Sequence, residues 1–245
     1  MRYLILSDIH SNLVALEAVL ADAPSGLPVW CLGDLVGYGP NPNECINLLR
    51  ELDPQSIVGN HDWAVMDKAD IDDFNPEAKE AVLWTRAQLT PDNMDYLQNL
   101  PISLVQDQEY TLVHGSPRKP IWEYILHPST ASLNFAYFHT SYCLVGHTHV
   151  PVIFRFLEQE SKPTCEAERL WETGTHSLGE GRLIINPGSI GQPRDGDSRA
   201  SYAILDTKAG TLNLRRVPYN IAKTQQRMEK AKLPARLIVR LSYGW

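Results

Sequence analysis

One adjacency recurs along this chain and limits what it can fold into: a short apolar run, then a side chain able to bind a metal. Residues 3–7 run into Asp8-x-His10, residues 29–32 into Gly33-Asp34, and residues 56–58 into Gly59-Asn60-His61-Asp62. Residues 110–114 close on His114-Gly115, and residues 142–146 lead into His147-Thr148-His149. Helix signals separate the first three runs. Asn12 can cap a helix over residues 13–22 that carries Leu13, Leu16, Val19 and Leu20 on one face. Asn41 and Pro42 open a second helix that reaches Leu52. Strand, helix, strand, helix, strand predicts parallel strands joined by right-handed crossovers. Asp8, Asp34 and Asn60 then stand at the carboxyl ends of neighbouring strands, where open α/β sheets bind ligands.

The side chains offered are imidazoles, carboxylates and one amide, and five of the eight histidines fall inside the motifs. An oxygen and nitrogen set without thiolate suits Mn, Fe, Zn, Ni or Co rather than a structural cysteine site. Seven ligands exceed the usual four of one tetrahedral zinc. Two metals sharing a carboxylate use all seven, and paired metals are a standard device for phosphate-ester hydrolysis.

The net charge of −7 argues against a general nucleic-acid-coating surface. It leaves room for a small phosphorylated substrate, because bound dications invert the local charge. Cys31, Cys45, Cys143 and Cys165 form no Cys-x-x-Cys pair and read as free thiols. Residues 1–6 lead straight into the first motif, so no signal peptide is read. Residues 124–154 lack Asp, Glu, Lys and Arg, yet His, Ser, Thr, Asn and Pro interrupt them, so no membrane span is read. The expected address is the cytoplasm, and a homo-oligomer is compatible with the chain.

Fifty-two residues separate His61 from His114. Asn75-Pro76 and Thr90-Pro91 start two helices there. The reading is a helical insertion at about 63–100, over or beside the site, with ordinary crossover helices as the alternative. Further strands are expected at 102–105, 152–157, 182–185, 201–205 and 211–217, and helices at 131–138, 221–231 and 234–241. The polar stretch 157–181 reads as a hairpin with a mobile tip. The whole chain, 1–245, is expected to form one domain whose two halves supply two sheets.

In this order, Asp8-x-His10, Gly33-Asp34, Gly59-Asn60-His61-Asp62, His114 and Gly146-His147-x-His149 resemble the calcineurin-like metallophosphoesterases. Asn186-Pro187-Gly188-Ser189 is similar to a motif of the small bacterial phosphodiesterase branch. The resemblance implies an α/β (α+β) fold, a two-sheet sandwich flanked by helices. It implies Asp8, His10 and His149 as ligands of one metal, Asn60, His114 and His147 as ligands of another, and Asp34 as the bridge. His61 matches a histidine that faces the substrate without binding metal. Asn12 and Arg194 are nominated for phosphate contact. The implied reaction is hydrolysis of phosphoesters, of small phosphodiesters or nucleotides above all, by a hydroxide bridging two metals. The alternatives are a phosphomonoesterase or protein phosphatase, or a metal-binding scaffold without catalysis.

One departure matters. The protein phosphatases of the family carry an Asp-Arg pair where this chain has Gly37 and Tyr38. Their phosphate-gripping arginine is missing here, and so is the aspartate that would back His61. A nuclease would need a basic path, and Arg182, Arg194 and Arg199 are too scattered to make one. Substrate choice is expected to lie in the insertion and in the 157–181 stretch.

Overall fold

A computed structural model describes residues 1–157 and 164–245. The chain begins β1 (Arg2–Leu6), α1 (Leu13–Asp22), β2 (Val29–Cys31), α2 (Pro42–Arg50), β3 (Gln55–Ser56) and α3 (Asn60–Val65). It continues with α4 (Pro76–Gln88), α5 (Pro91–Gln98), β4 (Ser103–Gln106), β5 (Tyr110–Val113), α6 (Pro128–Asn134) and β6 (Tyr142–Leu144). Then come β7 (Val152–Leu157), β8 (Thr164–Arg169), β9 (Gly174–Ser177), β10 (Leu183–Asn186), β11 (Ala200–Asp206) and β12 (Thr211–Val217). Helices α7 (Ile221–Lys230) and α8 (Ala235–Arg240) follow.

Two six-stranded sheets result, in the orders β3-β2-β1-β11-β12-β9 and β4-β5-β6-β10-β7-β8. The β1–β2 and β2–β3 pairs are parallel, as the alternation of strand and helix predicts. Period-two alternation on β1 then divides the core. Tyr3 and Ile5 face the second sheet with Trp30, Leu112, Ile153 and Ile185. Leu4 and Leu6 face the helices, against Leu16 and Val19 of α1 and Ile46 and Leu49 of α2. On the outer face of the second sheet, Cys143, Phe154 and Ile184 meet Ala131 and Phe135. The order of layers is helix, sheet, sheet, helix. Each fully buried Leu or Ile in these layers contributes about 1.5–3 kcal/mol.

Asparagine and threonine caps start α1, α4, α5 and α7. Asn75 Oδ1 accepts from the Ala78 amide at 2.9 Å, and Thr90 Oγ1 accepts from the Asn93 amide at 3.3 Å, each with proline in the first turn. Asn41 departs from this pattern. Its amide donates to Glu44 and its oxygen accepts from Arg227 of α7.

The two sheets do not divide at the middle of the chain as expected. The antiparallel pair β11–β12 returns to the first sheet, with Leu4 opposite Ile204. The open edge of β1 demands a partner, and a nonlocal hairpin supplies it. The 157–181 stretch is not one hairpin either: β8 pairs with β7 in the second sheet, while β9 pairs with β12 in the first. Residues 158–163 of that stretch lie outside the described residues. Helices α4 and α5 join the helical layer of the first sheet through Val82 and Leu97. The link before α4 reaches the site instead, through Phe74. Among the described residues no helix is long and apolar enough to cross a membrane.

Candidate metal centre

Asp8, His10, Asp34, Asn60, His61, His114, His147 and His149 converge where the two sheets meet, and none is more than 4 % exposed. The chain turns sharply just past the strand ends. Asp8, His10, Asp34, His147 and His149 all take left-handed backbone conformations, with φ between 49° and 65°. Each such residue without glycine's freedom costs on the order of 1–3 kcal/mol, and such strain concentrates at ligand-holding positions. Gly59 permits a close approach: a Cβ there would stand 2.1 Å from Asp34 Oδ1.

Backbone carbonyls set the imidazole tautomers. Nδ1 of His10 donates to the Val36 carbonyl at 3.0 Å, that of His114 to Leu32 at 2.8 Å, and that of His149 to Gln192 at 2.5 Å. A carbonyl can only accept, so each of these nitrogens carries a proton, and in the neutral ring that metal binding requires Nε2 turns an unshared pair inward. His147 is held the other way round, with Nε2 against the Trp122 carbonyl at 3.3 Å, which leaves Nδ1 for the interior. The inward acceptors crowd together. Nε2 of His10 lies 3.1 Å from Nε2 of His149, and Nε2 of His114 lies 3.1 Å from Asn60 Oδ1 and 3.3 Å from Asp34 Oδ2. Buried acceptors this close need a positive charge between them. Among the described residues no donor is aligned on Asp34 Oδ2, and only imidazole nitrogens such as His114 Nε2 stand against it. Three overlapping triads able to hold a metal arise: Asp8–His10–His149, His10–Asp34–His61 and Asp34–His114–His147.

The charges follow from this crowding. Burial works to raise Asp8 and Asp34, but His149 and His114 around the first, and His114 and His61 around the second, hold both well below the usual carboxylate range. Burial works to lower His114, yet Asp34 and Asp8 push it up to about 9. Burial brings His147 down to about 3, helped by His114, and His61 down to about 4 against the pull of Asp34. His61 is therefore neutral near pH 7 and offers one N–H.

His61 sits under aromatic rings. Tyr38 lies 4.2 Å from its centroid and Phe74 meets it edge-on at 5.0 Å, with Trp122 behind Phe74. Tyr124 stacks on His147 at 3.9 Å. Among the described residues His61 Nδ1 is buried without a hydrogen-bond partner. A Cβ on Gly37 would stand 2.7 Å from that nitrogen, so the glycine occupies the place from which a side chain would back the ring.

Residues 1–210 match the family model for the calcineurin-like phosphoesterase superfamily domain. The chain belongs to this superfamily. It is a hydrolase acting on phosphoester bonds, of a metal-dependent family. An uncharacterized protein of Methanocaldococcus jannaschii is 41% identical, with 98% of this chain and 97% of that protein covered. A metallophosphoesterase crystal structure from Sphaerobacter thermophilus is 48% identical, covers 100% of both chains and superposes with a TM-score of 0.89. A symmetrical bis(5'-nucleosyl)-tetraphosphatase of Pectobacterium carotovorum is 31% identical over 101 residues, 34% of this chain and 36% of its own.

In this calcineurin-like phosphoesterase the Asn186-Pro187-Gly188-Ser189 turn is a clasp. Asn186 Nδ2 donates to the Gly146 carbonyl at 2.6 Å and to Thr148 at 3.0 Å, and Ser189 Oγ donates to the Asp8 carbonyl at 2.8 Å. It ties the first and last ligand loops together. Asn12 caps α1: its oxygen accepts from Ala15 and Thr224, and its amide donates to Gly191. The amide has a second N–H, which these bonds do not use. Arg194 stands beside the site. Its amide donates to the His149 carbonyl at 3.3 Å and its guanidinium contacts Gln192 and Tyr38. His127 and His139 are exposed and His176 pairs with Glu168, away from the cluster. The four cysteines are free.

The sequence reading gave Asp62 no part, yet it is fully buried and ties two ligand loops. Its carboxylate accepts from the Gly59 amide at 3.0 Å and the Val36 amide at 3.1 Å. Burial and then Asp34 push it up to about 7. Its place three residues past Gly59, at the start of a short helix, was the available signal.

Proposed function

We propose that this phosphoesterase hydrolyses small phosphodiesters or nucleotides with two divalent ions in the cradle. The observation that carries the reading is Asp34, on whose Oδ2 no donor is aligned among the described residues and whose carboxylate belongs to two of the three triads. Asp8, His10 and His149 would hold one ion, Asn60, His114 and His147 the other, and Asp34 both. Such a pair supplies a nucleophile at neutral pH and neutralises phosphate charge. Their oxygen and nitrogen donors suit Mn, Fe, Zn, Ni or Co.

The chain's own groups do the rest. The carbonyl-anchored imidazoles stay aimed without reorganisation. His61, held by the peptide from Asn60, donates its N–H toward the leaving oxygen. Arg194, with the second amide N–H of Asn12, meets phosphate oxygens. The rings of Tyr38, Phe74, Trp122 and Tyr124 exclude water and favour a substrate with a flat group. The partial match to a tetraphosphatase named for nucleosyl substrates supports the nucleotide choice. Gly37 and Tyr38 in place of Asp-Arg weigh against a protein phosphatase. A cytoplasmic address belongs to the same proposal.

The test is turnover of paired chromogenic phosphodiester and phosphomonoester substrates by chelator-stripped protein, with Mn, Zn, Fe, Ni or Mg restored singly. Metal-dependent cleavage that favours the diester supports the reading. Faster cleavage of the monoester moves it to a phosphatase, and two bound ions with no turnover across a broad panel moves it to a scaffold.

A further inference from the structure

The loop between β5 and α6 starts at His114 of the cradle and contains no strand or helix. It folds back on itself. The Gly115 amide donates to the Pro120 carbonyl at 2.6 Å, and a Cβ on Gly115 would stand 3.0 Å from the Trp122 nitrogen and 3.1 Å from that of Glu123. The later part of the loop reaches His147 twice. The Trp122 carbonyl meets its Nε2 at 3.3 Å, and the Tyr124 ring stacks on the imidazole at 3.9 Å, 19° from parallel. Leu32 and Val36, whose carbonyls anchor His114 and His10, follow closely on β2. Trp122 belongs to no strand, so the place of its carbonyl depends on whatever fixes the loop.

Glu123 stands between those two residues, and its side chain is only 12% exposed. Its Oε2 accepts from Ser116 Oγ at 2.7 Å, from Asn134 Nδ2 at 2.8 Å and from Arg118 Nε at 3.3 Å. Its Oε1 accepts from the end of the same guanidinium. Ser116 and Asn134 are fully buried. Ser116 Oγ also accepts from the Lys119 amide at 3.0 Å, and Asn134 Oδ1 accepts from the Arg118 amide at 2.9 Å. One carboxylate thus knits both arms of the loop to α6, to which Asn134 belongs. A carboxylate that gathers this many donors is held in one place, and its removal leaves buried polar groups short of a partner. These partners lie in the loop and in α6, so Glu123 reaches the cradle through its chain neighbours, Trp122 and Tyr124.

We propose that Glu123 is a positioning residue for the metal centre. By holding Trp122 and Tyr124 against His147, it keeps the proton on Nε2, aims Nδ1 into the cradle and sets how tightly the ion at Asn60, His114 and His147 is held. The assignment rests on the two-ion reading above and adds a residue that acts on one of the two ions. The ion at Asp8, His10 and His149 takes no ligand that this loop anchors, so it serves as an internal reference.

Imidazole nitrogen resonances of the chelator-stripped protein read His147 with no metal and no turnover. Near pH 7 the parent should show His147 protonated on Nε2, and His10 and His149 protonated on Nδ1. Glu123→Ala should leave His147 exchanging between its two tautomers while His10 and His149 stay as they are, which also shows that the variant is folded. Calorimetric titration with Mn is the second readout. The parent should take up two ions, and Glu123→Ala should weaken one of them about tenfold or more and keep the other within about twofold. Glu123→Gln keeps an oxygen for Ser116 and Asn134 but gives up the ion pair with Arg118. It should weaken the same ion about threefold, and it carries the test alone where the alanine variant does not fold. An unchanged His147 tautomer with two unchanged ions overturns the proposal. So does equal weakening of both ions, the mark of a merely structural residue. A parent that binds a single ion overturns the two-ion reading, and the His147 tautomer in the variants then still decides on Glu123.

Discussion

The cradle and its cover are built by opposite means. In the cradle, backbone groups hold the carboxylates and imidazoles: carbonyls fix three Nδ1 atoms, and the His61 and His147 amides donate to Asp34 and Asp8. In the cover, Tyr38, Phe74, Trp122 and Tyr124 come from three separate loops and meet chiefly through ring contacts. The first arrangement keeps charge in place at the expense of backbone strain. The second closes the site with contacts that can slide apart, which a buried centre needs if a substrate is to enter. The difference locates chemistry in the cradle and access in the cover.

Asp34→Asn strikes the cradle hardest. Removing its charge should release metal and cut activity about a thousandfold or more, consistent with several kcal/mol of lost stabilisation. Metal content and turnover measured on the same sample check this. Full metal content with the parent rate would break the assignment of Asp34 as the shared ligand.

His61→Ala touches both regions. Metal content should stay at the parent level while kcat falls about a hundredfold or more. Loss of metal in this variant would instead make His61 a ligand, as the His10–Asp34–His61 triad permits.

Phe74→Ala should open the cover and leave the cradle intact. Chelator should strip metal several-fold faster, about what the loss of one ring contact allows, with unchanged metal content. An unchanged stripping rate would show that Phe74 is not the barrier.

The smallest effect is a pH trend. His114 stands at about 9 in the folded, metal-free protein against an ordinary 6.5. Its protonated pairing with Asp34 stabilises fully below pH 6.5 and is lost as the pH rises through about 9. Metal needs the neutral ring, so proton competition fades over the same window. The gain in Tm on adding Mn to stripped protein should therefore grow between about pH 6.5 and 8.5, by a few degrees. A gain that shrinks with pH would contradict the raised state of His114.

Much was legible before any coordinates. Apolar runs that stop at Asp8, Asp34, Asn60, His114 and His147 marked the strand ends, since a period-two pattern and its interruption are local. Caps such as Asn75 and Thr90 were equally plain, because a capping side chain bonds within its own helix turn. Asp62 escaped because it works on the Val36 amide, 26 residues away in the chain. Asn12 was ambiguous for a similar reason: its partners Gly191 and Thr224 are remote.

By itself the sequence determined the types and order of the candidate ligands, the parallel β1–β2–β3 unit and the absence of an aspartate at Gly37. These depend on residue chemistry and on neighbours a few positions apart. Tertiary structure decided that β11 and β12 close the edge of β1, and that β8 and β9 part into different sheets. It also set rings from three distant loops over the cradle. An unpaired strand edge, an exposed ring or an unbalanced charge can be satisfied by any suitable segment. The choice is made by the burial and pairing of the whole chain, which no local pattern records.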